Sequence, residues 1–386
     1  MTVETKQGNA LEAIQRLRPI IEHYRDEAER ERRMPPAVVS AMKDEGLFRL
    51  WLPREFGGQE LDMPSYLQAI QELSRIDAAA GWTLANTGTG AIHAAFLPPA
   101  GAQEVFGDDG LTAGAVTPNG RATPVPGGFR ISGRWPLVSG CHSASWFAGN
   151  CLVFDGPAPR MSPMGMPVFM LAFFKASEVQ IIDTWYSTGM RGTGSNDFVV
   201  EDVFMPAERT HLVFGTQPNV GGALYHLPII ALHFTASANI CLGIARAAID
   251  AFVELAQSKT PTLSQTPLAA RATVHAEVAK AEAALQSACA YMHGVALQIM
   301  DAITNGDELP PQIEARRRLA CMNAAETSER VVDAMYRLGG VSAIQADSRL
   351  DRCLRDVHTI NQHAAVSPVW WEKTGQFYFG QELGML

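Results

Sequence analysis

Several features are missing from this 386-residue chain, and each absence removes a class of function. No basic cluster stands against a net charge of -9, and Arg316–Arg318 is too short a run to make one, so nucleic acid and anionic membrane surfaces are poor partners. The six cysteines (Cys141, Cys151, Cys241, Cys289, Cys321, Cys353) form no CxxC pair and no Cys/His group at metal spacing, which predicts reduced thiols and no metal site. No apolar run reads as a membrane span, and the polar start MTVETKQGNALEAIQ has no signal-peptide core; a cytoplasmic protein is expected. No GxGxxG follows a strand, so a dinucleotide-binding fold is not expected.

What is present divides into three parts. Apolar residues at Leu11, Ile14, Leu17, Ile20, Ile21 and Tyr24 keep helical spacing, Pro35–Pro36 open a second helix that Gly46 stops, and Met63–Ile76 and the small-residue stretch Ala78–Phe96 read as two more. From Leu111 to Pro206 the pattern changes to strands, including a hairpin around Gly127–Gly128. With no helices between them, these strands predict an antiparallel sheet or barrel. The chain then returns to helix over His233–Ser258, Pro267–Ile303, Pro311–Leu338 and Asp347–Val366, alanine-rich and of bundle length. The fold class is therefore α+β: an N-terminal helical domain (1–108), a middle antiparallel β domain (109–215) and a C-terminal four-helix bundle (216–386).

Inside the β block, GGFRISGRWPLVSG (Gly127–Gly140) and DTWYSTGMRGTGSNDFVVEDVFMP (Asp183–Pro206) each set Gly, Ser and Thr beside a Trp. Freed backbone amides, short hydroxyls and an indole suit a planar ring with polar edges, so a buried aromatic cofactor is the leading reading; turns at strand ends are the plainer one.

Four stretches, Gly46–Gly58 (GLFRLWLPREFGG), Gly133–Gly140, Asp183–Pro206 and Leu338–Asp356 (LGGVSAIQADSRLDRCLRD), resemble the acyl-CoA dehydrogenase superfamily. More closely they resemble its flavin-dependent monooxygenase branch, the oxygenase components of two-component hydroxylases such as dibenzothiophene monooxygenase and 4-hydroxyphenylacetate hydroxylase. The resemblance implies that a separate NAD(P)H-dependent flavin reductase delivers reduced flavin. Oxygen would then be passed to a small aromatic or heteroaromatic substrate through a C4a-hydroperoxyflavin, in a homotetramer. It also implies Trp135, Leu137, Ser139, Trp185, Thr193, Ser195 and Asn361 at the flavin, and His363 and Ser139 as catalytic groups; the residues themselves add His93, a third catalytic candidate, and Asn86 on the substrate side, with His142 as an outside candidate.

The chain departs from the dehydrogenases where their chemistry resides. Arg355–Val366 reads RDVHTINQHAAV, with His363 and Ala364 where their glutamate base stands and no carboxylate after Asp356 until Glu372. His363 suits base or hydrogen-bonding work, and on a continuous helix it shares a face with Thr359 and Ile360. AVTPNGRATPVPGG (Ala115–Gly128) replaces their acidic, Ser-rich loop, and no Arg-x-x-Phe-Gly follows Ser258, which favours reduced flavin as a substrate and FMN slightly over FAD. An acyl-CoA dehydrogenase or related FAD oxidase is the alternative within enzymes; a non-catalytic nucleic-acid- or protein-binding relative is the alternative outside them.

Overall fold

The structure, a computed structural model, describes residues 10–107, 110–163, 165–220, 222–262, 264–305 and 309–384; the polar residues 1–9 and the expected boundary at 108/109 lie outside them. Five helices come first: α1 (Ala10–Glu31), α2 (Pro36–Asp44), α3 (Met63–Ile76), α4 (Ala78–Ile92) and α5 (Pro99–Phe106). Local chemistry sets their limits. Asp62 and Asp77 cap α3 and α4 by accepting from Ser65 and Ala80 amides, and Pro98–Pro99 separates α4 from α5.

Eight strands follow: β1 (Thr112–Val125), β2 (Gly128–Val138), β3 (Trp146–Asp155), β4 (Ala158–Pro159), β5 (Phe169–Lys175), β6 (Gln180–Ile182), β7 (Asn196–Pro206) and β8 (Thr210–Leu212). The sheet runs β6-β7-β2-β1-β3-β5-β8, with β4 paired to β3. The expectation of a wholly antiparallel sheet needs correcting. The hairpin turns at Val125↔Gly128 and β2 pairs β7, but β1 pairs β3 in parallel, making the sheet mixed. A crossing loop from Ser139 to Ser145 allows this, because it returns the chain to the free edge of β1 before β3 begins.

The C-terminal part holds α6 (Ile229–Ser258), α7 (Ala272–Thr304), α8 (Pro311–Gly339), α9 (Arg349–Ile360) and α10 (Val369–Tyr378). α6 is its axis, packing on α3, α4, α7, α8 and α9. Against the expectation of no spanning run, α6 is by length and composition apolar enough to cross a membrane; 83% of its most apolar window is buried inside the protein. Its apolar surface is thus covered by neighbouring helices. One core spans both helical parts, and a separate one, including Trp135, Phe147, Phe174 and Phe198, fills the sheet. The site lies where α4, α6 and the end of α9 meet the turn that precedes β7.

Candidate active site

The turn before β7 starts from an unusual backbone. Met190 has φ of 53°, in the left-handed region, and is followed by a 3₁₀ turn at Arg191–Thr193 and by Gly194 at φ 56°. Asp356 of α9 holds Met190 there by accepting its amide at 2.5 Å. Burial pushes the Asp356 carboxyl up to about 7. Trp185 donates its indole N–H to the carbonyls of Met190 and Arg191. The turn is therefore tied to the C-terminal bundle as well as to its own sheet.

From this turn a line of buried hydroxyls runs to the end of β2. Thr193 Oγ1 donates to the Met190 carbonyl (2.8 Å), and Thr193 Oγ1 and Ser195 Oγ lie 2.7 Å apart. Ser195 Oγ is in turn 2.7 Å from Ser139 Oγ, which accepts the indole N–H of Trp82 at 2.7 Å. Trp82, on α4, is the link to the histidines. Its ring stands edge-on to His363 at 5.1 Å and to His233 at 6.3 Å, and the two imidazoles are 5.6 Å apart.

The partners of these histidines assign their tautomers. His363 Nδ1 accepts the Ala365 amide (3.2 Å), so in the neutral ring the proton is on Nε2. Thr89 Oγ1 spends its proton on the Ala85 and Asn86 carbonyls, so at 3.3 Å it accepts from His233 Nδ1, and His233 Nε2 carries the lone pair. Burial pushes His363 down to about 4 and His233 to about 3, the latter helped by nearby His363, so both are neutral near pH 7. One imidazole is thus a donor and its neighbour an acceptor.

His233 was not among the residues singled out from sequence, although a signal exists. Of the polar residues in the first half of α6, Thr235, Ser237 and Asn239 each return a hydrogen bond to the carbonyl four residues back, as polar groups in a buried helix do. His233 instead reaches across to α4.

Other expected positions fall elsewhere. Ser139, Ser195 and Thr193 come together, but Trp135 does not join them. It is fully buried in the sheet core, stacked on Phe198 at 4.7 Å and donating to the Asn150 carbonyl at 2.7 Å. It occupies a slot that exists because Gly120, Gly133 and Gly149 lack side chains; a Cβ on any of the three would come within 2.8 Å of the indole. Trp135→Ala is expected to cost about 3–5 kcal/mol of stability. Urea unfolding checks this, with flavin affinity unchanged below the transition. Leu137, at φ 59°, is 63% exposed and outside the hydroxyl line. Asn361 donates to Glu329 (2.6 Å) and so ties the end of α9 to α8. His93 lies eleven residues beyond Trp82, roughly 16 Å along the helix axis, where its Nδ1 meets His211 Nε2 at 2.9 Å. His142 is bonded to Asn196, and Asn86 donates to the Trp82 carbonyl.

The expected helix through His363 is also corrected. α9 stops at Ile360, and His363, extended at φ -73° and ψ 144°, caps a 3₁₀ turn at Ala364–Val366 that Trp370 braces through the Ala364 carbonyl. Capping replaces the helical face, and it is capping that fixes the ring's tautomer.

The hydroxyl line fits the polar edge of a flavin. Ser139 Oγ has two lone pairs; Trp82 fills one, and the other stays free when Ser139 gives its own proton to Ser195. Trp82, which covers Ser139, is itself in edge contact with His363, and His363 with Phe234.

The family described as acyl-CoA dehydrogenase, N-terminal domain, matches residues 13–102, and that described as acyl-CoA dehydrogenase, C-terminal domain, matches residues 235–368. An indole-3-acetate monooxygenase from Pseudomonas putida is 33% identical over 359 residues, covering 92% of this chain and 90% of that protein. The oxygenase subunit HsaA, a flavin-dependent monooxygenase of Mycobacterium tuberculosis, is 30% identical over 98% of this chain and 96% of its own. Its crystal structure superposes with a TM-score of 0.89 at 27% identity, each chain covered to 98%. XiaF from Streptomyces, solved with FADH2 and glycerol, superposes at 0.88 with 25% identity, over 98% of this chain and 96% of that one. The chain belongs to the acyl-CoA dehydrogenase family and, within it, to the flavin-dependent monooxygenases that use reduced flavin to oxygenate aromatic substrates.

Proposed function

We propose that reduced flavin lies with its N5 edge on Ser139 and that the substrate sits against the His363–His233 pair. The observation that carries this is the buried line Trp82–Ser139–Ser195–Thr193, adjoined through Trp82 by two neutral imidazoles of opposite hydrogen-bonding sense. Bound reduced flavin supplies the electrons that activate O2 for transfer of one oxygen atom. Ser139 orients the ring, and Trp82 holds Ser139 in place while covering it from water. Of the two roles open to His363 from sequence, base or hydrogen-bond support, its tautomer favours support: Nε2–H donates toward oxygen. The crowded apolar edges of Trp82 and Phe234 keep the reacting oxygen out of bulk water.

His233 Nε2 is the acceptor for an N–H or O–H on the substrate ring. Indole is therefore expected to exceed benzofuran, its isostere without the N–H, by about tenfold or more in kcat/KM. His233→Leu removes the preference. Equal rates for both probes with the unaltered enzyme would take His233 out of substrate recognition.

A separate NAD(P)H-dependent reductase supplies the flavin, in line with the oxygenase-subunit name of the relative and the lack of a dinucleotide fingerprint here. The missing adenosine-side motif leans to FMN, whereas the relative solved with its flavin reduced holds FADH2, so FADH2 is the first flavin to assay. We also propose a cytoplasmic homotetramer, with the alanine-rich face of α7 and exposed Val341, Ile344 and Phe379 as contact candidates; sedimentation tests it. The functional assay is reconstitution. Product should form when any flavin reductase, or chemically reduced flavin, is supplied, and NADH alone should give none. Reduction of tightly held FAD by an acyl-CoA would favour a dehydrogenase instead.

A further inference from the structure

We infer that the hydroxyl line has a fixed direction, and that Thr193, two hydroxyls away from the flavin, thereby makes the site select reduced over oxidised flavin. The inference rests on the placement of N5 at Ser139 proposed above.

The direction follows from counting protons, one per hydroxyl. A carbonyl can only accept, so the proton of Thr193 points to the Met190 carbonyl (2.8 Å). Between Thr193 and Ser195, Ser195 must then donate. Its proton is thus spent, so between Ser195 and Ser139 the donor is Ser139. An indole N–H can only donate, so Trp82 gives to Ser139. Every bond therefore runs one way: Trp82 to Ser139 to Ser195 to Thr193 to the Met190 carbonyl.

That terminal carbonyl is held firmly. It also receives the Thr193 amide at 3.1 Å and the Trp185 indole at 3.3 Å, while Asp356 anchors the Met190 amide. Ser139 (7% exposed), Thr193 (2%) and Ser195 (4%) have no water-facing alternative for their protons.

With its proton committed inward, Ser139 presents only a lone pair to the flavin. Reduced flavin carries a hydrogen on N5 and donates into that lone pair. Oxidised flavin has a lone pair on N5, so two acceptors face each other unless Ser139 abandons Ser195. The penalty is one buried hydrogen bond, about a 3- to 10-fold preference for the reduced form. Thr193→Val removes the sink at the end of the line. Ser195 must then turn its proton onto Ser139, which fills both Ser139 lone pairs and points the Ser139 proton at N5, the arrangement that suits oxidised flavin.

The test is the ratio of dissociation constants for oxidised and reduced FAD, the latter titrated anaerobically, in the unaltered protein and in the Thr193→Val, Thr193→Ser and Ser139→Ala variants. Thr193→Val is expected to lower the oxidised-to-reduced ratio by about 3- to 10-fold, a tenfold change being about 30 mV in the two-electron potential of bound flavin. Thr193→Ser keeps the sink and should retain the original ratio, and it serves as the folded control if the valine variant is unstable. An unchanged ratio in Thr193→Val, with both forms still binding, overturns the directional line and leaves the flavin site standing. Binding of both forms unaffected by Ser139→Ala overturns instead the placement of the flavin at Ser139. A ratio that falls equally in Thr193→Ser assigns the effect to packing and also overturns the proposal.

Discussion

His363→Leu should lower oxygenated product by about 100- to 1000-fold while reduced flavin still binds, the flavin being reoxidised without product. The magnitude is that of removing one preorganised donor from a dry site. The assignment as donor makes two further demands. His363→Gln, whose side-chain amide also ends in an N–H, should recover a substantial part of the loss, because the Nε2–H and not a proton-accepting nitrogen faces the site. The rate should also be flat from roughly pH 6 to 9, since burial, which pushes His363 down to about 4, leaves the ring neutral throughout. Product yield measured under single turnover with each variant checks all three. A glutamine variant as inactive as leucine, together with a rate that follows a titration near neutrality, would restore the base role.

Acid should unfold this protein early. Burial lowers His93 well below its ordinary value, takes His211 and His363 to about 4, and takes His233 to about 3. A base whose folded pKa is depressed stabilises the native state above its unfolded value of about 6.5. That stability is lost as the pH falls through the window from about 6.5 to the folded value, at about 1.4 kcal/mol per pH unit for each ring. Several such rings together approach the whole stability of a typical domain by about pH 5. Asp356 acts in the opposite sense, because burial raises its carboxyl to about 7 and stability is lost as the pH rises through its window, but it is a single group against these four and His142, which burial also lowers. Urea midpoints measured from pH 8 to pH 5 should fall steeply below about pH 6.5. His211→Gln, away from the flavin edge, should flatten the slope by one ring's share; an unchanged slope would show that His211 is charged in the folded protein.

The helix–sheet–helix order was legible because periodicity is local: Met63–Ile76 and Asn196–Pro206 coincide with α3 and β7. Ser139, Thr193 and Ser195 were also legible, as Gly/Ser/Thr clusters at strand ends. The choice of tryptophan was not. Strict alternation along β2 sets Trp135, Leu137 and Ser139 on one face, but the register shifts between Trp135 and Val138, so Trp135 and Val138 enter the sheet core while Leu137 turns outward. Trp82, the indole that does meet Ser139, sits 57 positions earlier on a helix whose local pattern is set by its small residues. His233 and Thr89 are 144 positions apart, a pairing no local pattern encodes. The break after Ile360 was hidden because neither Gly nor Pro marks it; the nearest proline is Pro368.

The central claim, that this site passes an oxygen atom from O2 to an aromatic ring using reduced flavin, is tested most directly by isotope. Protein, reduced FAD and indole are mixed anaerobically, then exposed to 18O2, and the products are weighed by mass spectrometry. The account predicts one 18O atom in the oxygenated indole, with product sharply lowered by Ser139→Ala or His363→Leu. Unlabelled product, or reoxidised flavin with no labelled product from indole, phenol or benzothiophene with either FAD or FMN, would contradict it.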